Sequence, residues 1–490
     1  MLRAQTIAPG VDVHPDHAQF LDLLDHAPLR LHHYIAWGLA SGGTFLDGLS
    51  VFMLGLSMPL VQNIMHLNAL QQGLLGAALV AGAVLGASIG GRLADLIGRK
   101  SIFLLDMLLL AIMALFAALA WNPVMLIVMQ FGIGTAIGMD FPVSSSYIAE
   151  SMPKKHRGRM MVATITSQAV GMVFAAMLVI SLFQLEMGTN VWRIFFASEA
   201  LFAIVFFIAR IVLPESPRWL MSKGRNREAV QSVISLVPYD RRLLEDMATR
   251  LDDTPLHASR LNSKEHAPHV LALWSRPYIR RTLFSTVPWF LMDIATYGVG
   301  MFTAVLLGAM QFGAHASSEL EKMKALAWGS GLLDLFLVVG FLLGMWAVVR
   351  FGRLRMQMIG FLGMAIGMMI LLGATLLTGG PGAHVYLVFT GFILFNLFMN
   401  MGPNSTTFIM PAELFPTQLR ATGSGFAASM AKAGATLGVF LLPIWKERLG
   451  IPGVLVLLIV VSILGLVTTW LFRVDDGERS LEAHQAHDLP

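Results

Sequence analysis

Long apolar runs, separated by short polar or Gly/Pro-marked stretches, dominate this chain. They predict helices at about 36–60, 73–95, 101–120, 124–148, 160–183 and 191–213, and after a gap at about 282–310, 324–349, 355–377, 383–408, 419–444 and 451–473. A hydrocarbon core about 30 Å thick needs roughly 20 apolar residues in a helix. Ile102 to Ala120 and Val454 to Phe472 have that length. The pattern therefore predicts an all-α membrane protein of twelve transmembrane helices, and the even number puts both termini on one side.

The side follows from Lys and Arg. Pro214 to Arg281 holds twelve of them, whereas the turns near 61–72, 121–123 and 378–382 hold none, so both termini are expected in the cytosol. The chain divides accordingly into a cytosolic N-terminal tail (1–34), a six-helix bundle (35–213), a cytosolic linker with short amphipathic helices (214–281), a second six-helix bundle (282–473) and a cytosolic C-terminal tail (474–490). An internal repeat supports two equivalent halves: Ala149-Glu150-x-x-Pro153-x-x-x-Arg157 recurs as Ala412-Glu413-x-x-Pro416-x-x-x-Arg420, 263 residues later. A fainter echo pairs Gly98-Arg99 with Gly352-Arg353.

Composition narrows the function classes. Of 490 residues, 56% are hydrophobic and 13% charged, where soluble domains carry about a quarter. The basic residues behind the pI of 9.4 fall in the loops, as topology alone requires, so nucleic acid is not an expected partner. There is no cysteine, and the tail histidines His14, His17, His26, His32 and His33 have irregular spacing, so no metal site is expected. The chain holds no nucleotide-cradling GxxxxGK[ST] loop, no GxSxG elbow and no HExxH pair. An enzyme or an ATP-driven pump is therefore not indicated, no cofactor is expected, and a proton gradient is the expected energy source.

Several motifs together resemble the sugar porter and metabolite:proton symporter branch of the major facilitator superfamily, over roughly residues 33 to 473. Gly91-x-x-x-Asp95-x-x-Gly98-Arg99-Lys100 is similar to that superfamily's loop between helices 2 and 3, Pro214 to Leu220 reads PESPRWL as in sugar porters, and Glu413 to Arg420 is similar to the loop after helix 10. The resemblance implies the major facilitator fold, two six-helix halves related by a pseudo-twofold axis. The chain also departs from it. The seventh span reads Leu291-Met292-Asp293-Ile294-Ala295-Thr296-Tyr297 where sugar porters carry hexose-binding amides, Gln130 and Ser50 replace an arginine and an aspartate, and Val349 replaces the acid of the second cytosolic loop.

Ionisable groups at mid-membrane cost roughly 2.5 to 3.5 kcal/mol each, so each is expected to have a partner or a task. Asp47 and Asp293 both lie ~17 Å into equivalent helices, and Asp140 lies ~15 Å from its helix end. These three are the proton-coupling candidates, with a structural, hydrogen-bonded carboxylate as the alternative for each; Asp334 is a weaker candidate. Lys432, ~18 Å deep, meets either an anionic cargo or an acid such as Asp293 or Asp334. Gln168, Tyr297, Asn396, Asn400 and Asn404 are hydrogen-bonding candidates for cargo or, equally, for helix-to-helix bonds. At the cytosolic face, Asp95, Arg99, Glu150, Arg157, Glu215, Arg218, Glu413 and Arg420 supply opposite charges able to hold an inner gate shut.

The sequence thus predicts a monomer in a lipid bilayer, in the inner membrane of a bacterium. It is expected to import a small polar organic solute, an organic acid, sugar-like compound or polyol, by proton symport with alternating access. Export or facilitated diffusion, and a non-transporting membrane receptor, are the alternatives.

Overall fold

The computed structural model describes residues 20, 22–182, 190–237, 249, 273–310, 312, 319–415 and 417–474, and no strand occurs among them. Helices α1 (Leu31–Ala40) and α2 (Gly42–Met65) form the first span. Then come α3 (Ala69–Ile97), α4 (Arg99–Ala118), α5 (Pro123–Ser151), α6 (Lys154–Leu182) and α7 (Val191–Arg210). Two short helices, α8 (Pro217–Ser222) and α9 (Asn226–Leu236), lead toward the second half. That half contains α10 (Ile279–Ala309), α11 (Glu319–Phe351), α12 (Arg353–Leu376), the single turn α13 (Gly380–Ala383), α14 (Val385–Met401), α15 (Pro403–Leu414) and α16 (Thr417–Phe472).

Eleven described helical segments are long and apolar enough to cross a membrane, one fewer than the twelve expected. The difference lies in α16. Its apolar segment of 48 residues would be ~72 Å long if straight, more than twice a bilayer core. Gly450 interrupts it with a left-handed φ of 68°, ahead of Pro452. The part before Gly450 packs on α10, where Gly434 and Gly438 abut the carbonyls of Phe290 and Ile294, and the part after it packs on α12, where Gly465 abuts Phe361. α16 is therefore two crossings, and the described residues make twelve.

Local chemistry sets the helix ends. α2 stops at His66, which is left-handed (φ 51°), and two residues later Asn68 opens α3 with a reciprocal cap: Asn68 Oδ1 accepts the Gln71 N–H at 2.8 Å, and Gln71 Oε1 accepts the Asn68 N–H at 3.1 Å. Asn122 caps α5 ahead of Pro123 at its first position. The Gly-Arg echo has a backbone cause: Gly98 (φ 101°) and Gly352 (φ 85°) make equivalent sharp turns that side-chain-bearing residues resist.

Inside the bilayer no hydrophobic gradient draws helices together, so close backbone approach does. On α3, Gly82 and Gly86 lie against the carbonyls of Phe131 and Thr135. On α5, Gly134 and Gly138 lie against those of Leu79 and Ala83. The same device joins α2 to α6 at Gly48 and Gly171, as Gly434 and Gly438 join the equivalent helices of the second half.

One boundary differs from expectation. The first helix begins at Leu31, so His32 and His33 belong to it and His33 is buried. Phe20, Leu24 and Ala27, ahead of it, bury their side chains in a cluster with Trp219, Leu220 and Val233, so this part of the tail is packed against α8 and α9. On the linker, α9 turns Ala229, Val230, Val233 and Leu236 inward, as an amphipathic helix does.

Because a Cβ at residue 134 would collide with the Leu79 carbonyl, Gly134→Val is expected to destabilise the protein by about 1–3 kcal/mol. Thermal melting in detergent checks this, with Gly373→Ala, where a Cβ meets nothing within 4 Å, as the near-neutral control.

Candidate functional site

A cavity of about 350 Å³ lies between the two halves. α2 and α6 supply Asp47 and Gln168, α10 supplies Trp289, Asp293 and Tyr297, and α16 supplies Lys432. Gln168 Nε2 donates to Asp47 Oδ2 at 2.6 Å and to the Tyr297 hydroxyl at 3.2 Å, so one amide ties the halves together across the cavity.

Lys432 donates to the Tyr297 hydroxyl, and its ammonium stands 4.2 Å from that ring's centroid and 5.9 Å from that of Phe141. Asp47 and Asp293 are near enough for their charges to act on it. No described carboxylate, however, lies within ion-pairing distance. Of the alternatives for Lys432, an anionic cargo or an acid such as Asp293 or Asp334, neither acid is in contact with it, and it is held by a neutral phenol and ring faces.

The asparagines differ among themselves, although all three border the cavity. Asn396 donates to the Leu333 carbonyl at 3.1 Å. Asn400 donates to the Asn396 carbonyl and accepts from Asn404, both at 2.8 Å. Asn400 is thus engaged on both sides of its amide, beside the α14–α15 break at Gly402, while still bordering the cavity.

Asp140 does not line the cavity. It faces the other way, 2.7 Å from Arg210 Nη2, and accepts from Ser144 at 2.6 Å. Gly43 makes room for it, since a Cβ there would overlap the carboxyl. Arg210 also meets Asp106 at 3.2 Å, donates to the Leu39, Ala40 and Phe103 carbonyls, and stacks on the Phe103 ring. All three charged side chains are buried. Asp140, expected among the proton carriers, therefore stands in a buried structural cluster. Sequence reading overlooked Asp106, Arg210 and Glu199, which is buried with Ser50 as its hydrogen-bond donor. All three lie in apolar runs, the same signal that exposed Asp47. Trp289, an indole one turn before Asp293 on α10 that also borders the cavity, carried no charge to attract notice.

The two ends of the cavity close differently. Away from the arginine-rich loops the halves meet through glycines, with Gly55 on the Met301 carbonyl and Gly73 on that of Phe440. Toward the arginine-rich end, Phe141 of one half meets Phe408 of the other edge-on at 6.1 Å, and Trp289 meets Phe408 at 6.3 Å. Side chains can swing away where a packed backbone cannot.

The described members of the expected latch pair within the first half. Arg99 pairs with Glu150 at 2.9 Å, Glu150 accepts from Ser216 at 2.5 Å, and Glu215 accepts the backbone N–H groups of Arg99 and Lys100 at 2.9 and 3.1 Å. Arg218 pairs with Asp25 at 2.5 Å. The side chains of Asp95, Arg157, Glu413 and Arg420 lie outside the described residues. The described charges thus fasten the first half to itself, and at this end of the cavity Phe141 and Phe408 bridge the halves.

Residues 41–487 match the family described as Sugar (and other) transporter. The putative metabolite transport protein YaaU of Escherichia coli (strain K12) is 29% identical over 451 residues, 91% of this chain and 93% of its own length. The probable inorganic phosphate transporter 1-12 of Oryza sativa subsp. japonica is 28% identical over 521 residues, 95% of this chain and 93% of its own. Among solved structures, the major facilitator superfamily proton:xylose symporter XylE aligns with a TM-score of 0.68 at 19% identity, over 93% of this chain and 98% of that one.

Two expectations follow. Removing the cation in Arg210→Met leaves two buried carboxylates uncompensated, which costs about 3–5 kcal/mol and lowers the melting temperature; adding Asp106→Asn and Asp140→Asn recovers part of the loss. At the charged end, burial raises the Glu215 carboxyl above its ordinary 4.5 despite the N–H groups it accepts. Such a group contributes stability below pH 4.5 that is lost as pH rises through its folded-state value. Glu215→Gln is therefore expected to flatten the melting profile just above pH 4.5.

Proposed function

This chain belongs to the sugar (and other) transporter family of the major facilitator superfamily, and on that premise we propose that it imports a small hydroxylated oxyanion, a phosphate or hydroxy acid, together with protons. Lys432 carries the reading. An ammonium ~18 Å into a bilayer that is hydrogen-bonded to a phenol, with no described carboxylate in contact, keeps its charge available for an anion. A neutral hexose has no use for that charge.

The surrounding groups narrow the anion. Tyr297 and Trp289 offer donors, while Asp47 and Asp293 accept only and Gln168 has committed its amide N–H groups to Asp47 and Tyr297, so the best-matched cargo has both acceptor oxygens and a hydroxyl of its own. Dihydrogen phosphate and small hydroxy acids have both. The phosphate transporters among the relatives support this chemistry.

Proton coupling follows from charge balance. Around Lys432, one ammonium and two carboxylates already sum to a negative charge before an anion arrives, and in a low-dielectric surrounding a further negative charge is unfavourable. Loading a proton onto Asp47 or Asp293 removes the conflict, so anion and proton favour each other's entry. Alternating access then needs the glycine seam at one end and the aromatic contact at the other to open in turn. The termini lie in the cytosol of a bacterial inner membrane in this reading, and the aromatic end faces inward.

Uptake into proteoliposomes tests the proposal, with labelled phosphate and small hydroxy acids offered under an inward proton gradient. Wild type accumulates one of these classes. Lys432→Gln lowers that uptake by tenfold or more, roughly the worth of one charge-assisted hydrogen bond. Asp47→Asn and Asp293→Asn retain exchange of internal for external cargo but lose gradient-driven accumulation. Full accumulation by Lys432→Gln would sink the anion reading, and accumulation indifferent to the gradient would leave a facilitator.

A further inference from the structure

One wall of the cavity carries an acid that the cluster around Lys432 does not use. Asp334, on α11, borders the cavity and is 4% exposed. Among the described residues it has no hydrogen bond or ion pair. Lys432 acts on Asp47, Asp293 and Tyr297, whereas no charged group acts on Asp334. The acid thus stands apart from the ammonium in the same chamber.

Its neighbour shares its chemistry. Asn396 borders the cavity and commits its amide N–H to the Leu333 carbonyl, the residue next to Asp334. That bond fixes which way the amide points and leaves its oxygen as an acceptor without a described partner. One turn before Asp334 the buried Ser330 hydroxyl also lacks a partner. Around Lys432 the cavity is rich in donors, and here it presents acceptors. A buried carboxylate without a cation is unfavourable, so the missing partner is expected to enter with the cargo.

The geometry points to a second subsite at Asp334 and Asn396 that binds an ammonium or a similar donor-rich cation at the far end of the cargo. This rests on Lys432 binding the anionic end. The cargo is then bipolar: an oxyanion at Lys432 and an amine at Asp334, joined by a short spacer. A chamber of about 350 Å³ has room for more than a lone phosphate.

A length series tests this. Dissociation constants are measured on the purified full chain for ω-amino acids from glycine to 6-aminohexanoate, for the matching unsubstituted carboxylates, and for phosphoethanolamine against phosphate. One spacer length is expected to bind about tenfold tighter than its amine-free counterpart, as suits a hydrogen-bonded charge pair. In Asp334→Asn that ratio falls to about one. Asn396→Leu, which keeps the carboxyl, lowers the ratio in part and guards against misfolding of the first variant. Equal affinities at every length, or a preference that survives Asp334→Asn, overturn the subsite while Lys432-dependent binding of simple anions stands. If no anion binds in a Lys432-dependent way, the underlying reading fails and the subsite fails with it.

Discussion

Hydrocarbon tolerates an ion only where something offsets its lost hydration, and Lys432 meets that constraint unusually. A carboxylate in contact would neutralise it and close the question. Instead a phenol accepts from it, two aromatic faces lie near it, and two acids act on it from farther off. Each of these groups stabilises the ammonium partially, and together they leave room for an anion. The link from Gln168 to both Asp47 and Tyr297 then makes the state of one half felt by the other.

The same constraint is met in the opposite way around Arg210. There two carboxylates and three backbone carbonyls consume the guanidinium's donors, and the group is sealed from water. The contrast separates a charge consumed by packing from one left available better than depth does. Both clusters sit in apolar helices, yet only the one around Lys432 borders empty space and has bonding capacity left over. A transporter needs both kinds, because a half that rocks as a body must be internally rigid. The buried Arg210 cluster and the ties among Arg99, Glu150, Glu215 and Ser216 supply that rigidity to the first half.

How far the sequence revealed this depended on what each residue's energetics leave visible. A charge in an apolar run is conspicuous, so Asp47, Asp293 and Lys432 stood out, and the helical rise gave their common depth. Azimuth was hidden. Each residue turns the helix by about 100°, and nothing local told whether Asp140 faced the cavity or Arg210, which sits 70 residues away at the end of another span. Aromatics such as Trp289 and Phe408 were inconspicuous among many. The helix count was legible from the apolar runs, whereas the reversal at Gly450 depended on one left-handed residue that a hydropathy pattern passes over.

The halves repeat each other in backbone and diverge in side chains, and function follows the divergence. Equivalent glycines bring α2 to α6 and α10 to α16, and equivalent turns place Gly98 and Gly352. Symmetry of this kind gives two bodies the same shape, so the seam between them can open at either end at little cost in packing. It does not make the ends alike. Backbone meets glycine at one, and Phe141 meets Phe408 at the other, so opening the first requires helices to move while opening the second requires side-chain rotation first. The polar groups are also unequal: the first half gives Asp47 and Gln168 to the cavity, and the second gives Asp293, Tyr297 and Lys432. If an anion binds at Lys432 as proposed, it rests mainly on the second half and touches the first through Gln168 and Asp47, the arrangement needed for cargo to change how the halves fit together.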